Sequence, residues 1–590
     1  MVQNLYKWST WLGERPICAT YSIVMKKTLA LFLKQNWKLL LFFSFWIAYF
    51  AAFWSRAIFF DSQGNFWAGH VNLWGDWPAH FTMANAMATR GLFIDSPFLI
   101  HANFSYPFVA DYLSALLLNA GVPFIPAFTV PSFFFSLLIV AALYLFYKTL
   151  FVSKKVAVTA TMIFLFNGGI GFYYFLQDIA NSASPLATFL APAHEYTRMD
   201  NLGIRWISVI DSMIIPQRSF AMGFSCALIA LAMVYRIFFS KKNSDLILFG
   251  KKIAKKWQIF FVGLLLGFLP ILHTHSFLAT FIFLSWWAIL DLGLLTKPKE
   301  RMSHFLDWIT IAGVTSLIAL PLLKIYFLTN TGNNFFHIQL GWMANEFHLN
   351  WLDFTWRNWG ITPIFAVLAW IFIYVKTKYK LVAALILPSF FIFMLSNIFL
   401  FQPWSWDNTK LLVWFLLGSS ALISYFLVHF FQSKNKVLRL AMIILFLIVT
   451  GSGIIDAYRI QRVDLHSYQE YDQSEFVLAN WVKANTDKNS IWLTPENHNT
   501  WLFNLTGRQA VLAYPGWLWT QGYDYLPTQA KVIQMYQGQP AALMDFEEYQ
   551  VNYAIISQEE LRSMGANKEF FDQHFPVAFE YAGTTIYKVK

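Results

Sequence analysis

The run WQIFFVGLLLGFLPILHTHSFLATFIFLSWWAILDLGL, residues 257–294, decides how this chain is built. As one helix it would measure about 55–60 Å at ~1.5 Å per residue, against a hydrocarbon core of ~30 Å. It therefore reads as two membrane spans, 257–272 and 276–294, joined by a turn at His273-Thr274-His275-Ser276. Similar apolar runs lie on either side, at 37–58, 123–150, 156–176, 219–239, 305–328, 361–375, 381–401, 411–431 and 437–455. Together they predict about eleven transmembrane helices. The composition agrees. Of 590 residues, 57% are hydrophobic, 19% aromatic and only 13% charged, and Phe alone accounts for 62. Ordinary soluble domains carry about 25% charged residues, so a soluble protein is excluded, as is a disordered one.

The formal net charge of +11 invites a nucleic-acid reading, but the positions of the charges oppose it. Lys7, Arg15, Lys26, Lys27, Lys34 and Lys38 precede the first span, and Arg56 with aromatics follows it, which fits an uncleaved helix better than a signal peptide. Lys154/Lys155, the run from Lys241 to Lys256, Lys297/Lys299/Arg301, Lys376/Lys378/Lys380 and Lys434/Lys436/Arg439 fall in alternate loops on the N-terminal side. The positive-inside rule makes that side cytoplasmic, so the N-terminal segment 1–36 is expected inside and the excess charge orients the chain. Cys18 falls inside and Cys226 within a span, so no disulfide is expected.

The loops 60–108, 177–218 and 329–360 then lie outside, as does 463–590, where Glu, Asp, Gln and Asn become frequent. In that last segment a helix at 473–484, strands at 490–493 and 551–556, and a hairpin from 575–579 and 584–589 predict a small extracytoplasmic α/β domain after the 37–462 membrane domain. The fold class expected is thus an all-α polytopic membrane domain followed by a small α/β domain.

The unusual polar residues gather at one depth, the outer helix ends. In Gly75-Asp76-Trp77-Pro78-Ala79-His80, Pro78 suits a first helical turn and Ala79 to Arg90 suits the helix itself. Asp76 then reads either as that helix's cap or as an ionised base or metal ligand near His80. Asp111 opens an apolar helix with the same two readings. Asn167-Gly168-Gly169 interrupts a span, and its freed backbone groups need partners. Arg218, in Gln217-Arg218-Ser219, meets phosphate oxygens or anchors at the interface. His273 and His275 read as a metal or phosphate contact, or as hydrogen-bonded structural residues. Lys324 is a functional intramembrane cation or snorkels to the interface. Trp404-Ser405-Trp406-Asp407-Asn408-Thr409-Lys410 joins aromatic faces, an acid, an amide and a cation, as a sugar-binding lining does, although Trp at an interface is also ordinary belt. No GxxxxGK[ST], GxGxxG, HExxH, CxxC or GxSxG pattern is present.

This arrangement resembles the GT-C superfamily of integral membrane glycosyltransferases, which includes protein O-mannosyltransferases, oligosaccharyltransferases and aminoarabinose transferases. The likeness covers nearly the whole chain: a cytoplasmic N-terminus, a long first outer loop with an early acid, many helices and an outer C-terminal domain. Tyr514-Pro515-Gly516-Trp517-Leu518-Trp519 and the ending Ile586-Tyr587-Lys588-Val589 are similar to tails on uncharacterised prokaryotic members. The resemblance maps the family's catalytic acid onto Asp76. This sequence has no adjacent acidic pair there, only His80 and the later Asp95 and Asp111. It implies an enzyme of the cell membrane that takes a sugar from a polyprenyl-phosphate-linked donor to a lipid, glycan or protein acceptor, with inversion, and sometimes with a divalent metal (Mg or Mn). Asp76 and His80 are the expected catalytic pair. Arg218, Lys324 and Lys410 are expected on the lipid phosphate, and Trp404, Trp406, Asp407 and Asn408 on the sugar. Asp111, His273 and His275 are further substrate-binding candidates. Membrane lipids, and no nucleic acid, complete the expected partners. A transporter or flippase for a lipid-linked glycan, or a non-catalytic assembly protein, remain alternatives on the residues alone.

Overall fold

A computed structural model describes residues 16–92, 95–240, 246–248, 251–327 and 336–590. Lys7, Arg15 and part of the 241–256 basic run lie outside the described residues. The chain divides into two compact units, Met1–Ala51 and Ala52–Lys590. The first is helical from Pro16, within a helix spanning Pro16–Trp54. There Trp46 stacks on Phe50 with ring centroids 5.6 Å apart.

Among the described residues seven helices are long and apolar enough to cross a membrane, or nine if each of two bent pairs is one span. This makes the chain a multi-pass membrane protein. The count stops short of the expected eleven for two reasons. The Lys380–Ser396 helix has only 17 residues, and the 257–294 run falls within one helical stretch, Lys255–Leu295.

That stretch nevertheless reverses direction. His273 breaks the helix with φ −168° and ψ 102°, and its ring meets Phe220 at 5.3 Å, near the start of the Arg218–Phe238 helix. Both ends of the run return to the far end of that same helix. Lys255 lies over Phe238 at 5.6 Å, and Trp287 meets Phe239 at 5.7 Å. The stretch is two antiparallel legs, with the histidines at the turn. The first leg packs on the Pro298–Tyr326 helix through Gly263 and Gly267, where an added Cβ would come within 2.7 Å of Val314 and 2.8 Å of Ile318. Small residues one turn apart let helix backbones approach in lipid.

The Asn167-Gly168-Gly169 break bends the Lys154–Phe166 and Gly171–Asn181 helices by 68°. Protein groups satisfy the freed backbone. Ile170 N–H donates to Arg357 O (3.1 Å) and Gly168 N–H to Val449 O (3.4 Å), while Ser452 Oγ donates to Gly169 O (2.9 Å). At Gly169 a Cβ would stand 1.9 Å from Arg357 O, so the two backbones touch. Gly169→Ala is expected to destabilise the chain by about 1–3 kcal/mol or more, read as a lowered unfolding midpoint in detergent. An unchanged midpoint would mean that this contact relaxes freely.

The C-terminal elements match the sequence expectation closely. The Gln473–Asn485 helix begins with a capping box at Asp472 and Glu475. The Val577–Tyr581/Thr584–Lys588 hairpin pairs with Tyr553–Ile556, which runs parallel to Ile491–Leu493 and through it reaches Gln509–Ala510. Tyr468–Tyr471 instead joins the first-loop hairpin Ile58–Phe60/Phe66–Ala68 as a third strand. The first loop and the C-terminal segment share one apolar cluster, in which Met83, Met87 and Phe98 meet Leu512, Trp517 and Tyr536. Thr82 Oγ1 donates to Asn504 Oδ1 across it (2.6 Å). This packing holds one side of the Val71–Arg90 helix and leaves Asp76 open on another.

Candidate functional site

The Val71–Arg90 helix starts earlier than its proline suggested. His70 occupies the cap position, its Nδ1 accepting from Asn72 N–H at 3.2 Å. Pro78 lies inside the helix, and Asp76 caps nothing. A proline at the eighth helical position removes one backbone hydrogen bond without ending the helix when tertiary packing holds both sides; here Trp77, Pro78 and Phe81 are all buried. Asp76 and His80, four residues apart, share a face.

Asp76 is solvent-exposed, and among the described residues nothing hydrogen-bonds to its carboxylate. Yet it is surrounded by protein, and that desolvation pushes its pKa up to about 6, against the opposing pull of His80, Lys410 and Arg198. A carboxylate that solvent reaches while protein surrounds it lies in a recess. His80 beneath it is 2% exposed. Its Nδ1 lies 3.0 Å from each oxygen of Asp111, which is fully buried in the Val109–Asn119 helix. Against a carboxylate, Nδ1 carries a ring proton and donates it to Asp111.

Arg218 closes the chain of contacts. Its Nη1 donates to Asp111 Oδ1 (2.6 Å), Nη2 to Ser114 Oγ (2.6 Å) and Nε to Ser132 Oγ (3.2 Å). The guanidinium faces the rings of Phe128 at 5.2 Å and Trp77 at 5.8 Å. With 1% exposure and its donors so committed, Arg218 has little left to offer a phosphate. It is the counter-ion of Asp111. Tyr106, held by Ser219 and surrounded by Asp111, Asp76 and Asp407, has its hydroxyl pKa pushed up by burial and by those acids. Its ring is 6.1 Å from that of His80.

A second group approaches from the 399–410 segment. Lys410 pairs with Asp407 at 3.0 Å, and both act electrostatically on Asp76. His275 Nε2 lies 2.6 Å from Gln402 Oε1, and Gln402 Nε2 donates to Asn408 Oδ1 (2.8 Å). Asn408 in turn donates to Ser396 O (2.9 Å) and Phe399 O (2.7 Å), so it shapes the loop. His273 pairs with Ser276 Oγ at 2.8 Å and belongs to the turn. Trp404 and Trp406 have ring centroids 5.2 Å apart, and Trp406 Nε1 donates to Arg205 O (3.3 Å). Lys324 is exposed near the end of the Pro298–Tyr326 helix. Among the described residues no hydrogen bond or ion pair ties it to the others.

The structure therefore gathers Asp76, His80, Asp111, Arg218, Asp407 and Lys410 into one neighbourhood, with Lys410 and Asp407 also acting on His275. Tyr106, Gln402 and Arg198 belong there too and were not singled out in the sequence. Tyr106 stands in the same Tyr106-Pro107-Phe108 stretch that leads to Asp111, but an aromatic beside a proline has no special signal. As for a metal, one group among the described residues has converging ligand atoms: His70, Glu195 and Asp211, all within 4.8 Å of one another. Asp76 is not in it. Asp407 is paired with Lys410, and Asp111 with His80 and Arg218, so the surroundings of Asp76 do not fit an ion.

No family model matches the chain, and no curated protein does. Solved structures do. The oligosaccharyltransferase of Archaeoglobus fulgidus, tethered with an acceptor peptide containing the NVT sequon, superposes with a TM-score of 0.54 at 11% identity, over 95% of this chain and 74% of that one. Its apo form gives 0.53, also at 11% identity, over 95% and 75%. ArnT from Cupriavidus metallidurans bound to undecaprenyl phosphate gives 0.46 at 8%, over 94% and 98%. At such identities the likeness concerns the fold.

Proposed function

We propose that this chain, which shares the fold of the archaeal oligosaccharyltransferase, is a GT-C glycosyltransferase that transfers a sugar from a polyprenyl-phosphate donor to an acceptor at the outer membrane face. The observation that carries this reading is the recessed, solvent-reachable carboxylate of Asp76 above His80, with the Lys410–Asp407 pair alongside. In the reaction a hydroxyl or amide of the acceptor attacks the anomeric carbon, the bond from that carbon to the phosphate oxygen breaks, and the acceptor's proton leaves to a base. Asp76 is that base and His80 its neighbour on the same face. Attack from one side inverts the anomeric centre. Lys410 and the exposed Lys324 are the cations for the departing phosphate, and Arg218 serves instead to hold Asp111 and, through it, the His80 ring. Trp404 offers a ring face to the sugar, with the buried Trp406 packed against it. The segment 463–590 is an extracytoplasmic domain in this reading, and the N-terminus is cytoplasmic in the cell membrane.

The test is purified protein in detergent with a polyprenyl-phosphate sugar and an acceptor. Release of polyprenyl phosphate with a glycosylated acceptor supports transfer; a flippase or an assembly protein releases none. The pH profile gives a second check. Asp76 accepts a proton only when ionised, and its pKa stands at about 6. Transfer should fall about tenfold per pH unit below that value and level off above it. A profile flat from pH 5 to 7 would remove Asp76 as the base.

A further inference from the structure

We infer that His70, Glu195 and Asp211 form a divalent-cation site of the manganese or zinc class, tying the first long loop to the second. It goes beyond the transfer reading, because neither Asp76 nor His80 is a ligand.

The three residues come from separate segments: His70 starts the Val71–Arg90 helix, Glu195 opens a bridge to Arg198, and Asp211 sits in the Ile210–Ile214 turn just before the Arg218–Phe238 helix. His70 is 1% exposed and Asp211 is fully buried. His70 Nε2 and Asp211 Oδ2 are buried without a hydrogen-bond partner. Nε2 stands 3.5 Å from Asp211 Oδ1 and 3.8 Å from Glu195 Oε1. Those distances are long for hydrogen bonds. They match ligands of one ion, since atoms bound at ~2.1 Å in a tetrahedral set lie about 3.4 Å apart.

Outer partners aim the carboxylates, as they do around metals. Asn72 Nδ2 donates to Asp211 Oδ1 (2.7 Å), and Arg459 Nη1 to Glu195 Oε1 (3.2 Å). An imidazole beside two carboxylates suits manganese or zinc over magnesium or calcium, whose preferred ligands are oxygens. As the ring stands, Asn72 N–H on Nδ1 keeps its proton on Nε2. A cation takes the place of that proton, which passes to Nδ1 at the expense of the 3.2 Å cap bond. In exchange, the start of the helix that carries Asp76 and His80 becomes joined through a common ion to Glu195 and to the turn that leads into the Arg218 helix.

The full chain in detergent, stripped with a chelator, should take up one Mn2+ per molecule, with nitrogen coupling from one imidazole in its electron spin echo spectrum. Zn2+ should displace it and Mg2+ at equal concentration should not. His70→Gln and Asp211→Asn should each weaken uptake about tenfold or more, and His70→Gln should erase the nitrogen signal. Asp76→Asn should keep stoichiometry and signal, so failure of the transfer reading leaves this one standing. Absence of saturable Mn2+ or Zn2+ uptake in the natural chain, Mn2+ without nitrogen coupling, or unchanged uptake in His70→Gln overturns the site. Should His70→Gln not fold, the nitrogen coupling of the natural chain decides alone.

Discussion

Asp76→Asn cuts sugar transfer by about 10²–10⁴-fold and leaves both abundance and unfolding midpoint in place. The two halves of this expectation have separate causes. The amide is nearly isosteric and replaces a carboxylate that accepts no hydrogen bond from the described residues, so no native contact is lost. Burial already works against the charge, having pushed its pKa up to about 6, and removing that charge costs the fold nothing. What disappears is a recessed, reachable acceptor for a proton, and an amide has no basicity to replace it. Activity and thermal unfolding measured on the same preparation check both halves. Retained transfer takes Asp76 out of the chemistry, and a collapsed midpoint makes its role structural.

Asp111→Ala has the largest expected effect on stability, a loss of about 3–5 kcal/mol. Arg218 is 1% exposed, and its 2.6 Å partner would vanish. A buried guanidinium would then keep only two serine hydroxyls and the faces of Trp77 and Phe128. His80 would lose the carboxylate that fixes its ring. Replacing both charges with apolar groups of similar volume, Asp111→Leu with Arg218→Met, should recover most of the stability, because a buried ion pair seldom outperforms good packing. Transfer should stay low in the double variant, since His80 is still unheld. Thermal unfolding of the three forms, with transfer measured alongside, separates these contributions. A single Asp111→Ala variant as stable as the natural chain would show that Arg218 finds solvent or another acid.

Much of the architecture was legible because membrane thickness is a strict ruler. The 257–294 run had to be two legs once its length was set against a bilayer, and His273 reverses the chain where that argument put the turn. The C-terminal strands were legible from alternation and turn residues, and the pairing of Tyr553–Ile556 with Thr584–Lys588 follows them. The helix start before Asp76 was misread. Proline is a good start signal only when packing does not override it, and here the packed Trp77 and Phe81 continue the helix through Pro78. The site was legible as a set of names and not as a set of contacts. Asp111 and Arg218 each had a local explanation, a cap and an interfacial anchor. Their 2.6 Å ion pair links residues on helices far apart in the chain, and no local pattern encodes it. Asn408 drew attention beside the tryptophans, but its amide is fixed on Ser396 and Phe399 carbonyls. His70, Glu195 and Asp211 carry no spacing signal, because each comes from a different segment.

The most direct test of the central claim is a cryo-electron microscopy structure of the chain with polyprenyl phosphate bound. The phosphate is expected within hydrogen-bond reach of Lys410, with its departing oxygen facing Asp76 and Arg218 still on Asp111. A phosphate seated near the middle of the bilayer or at the lysine-rich end, with only solvent around Asp76, would contradict it.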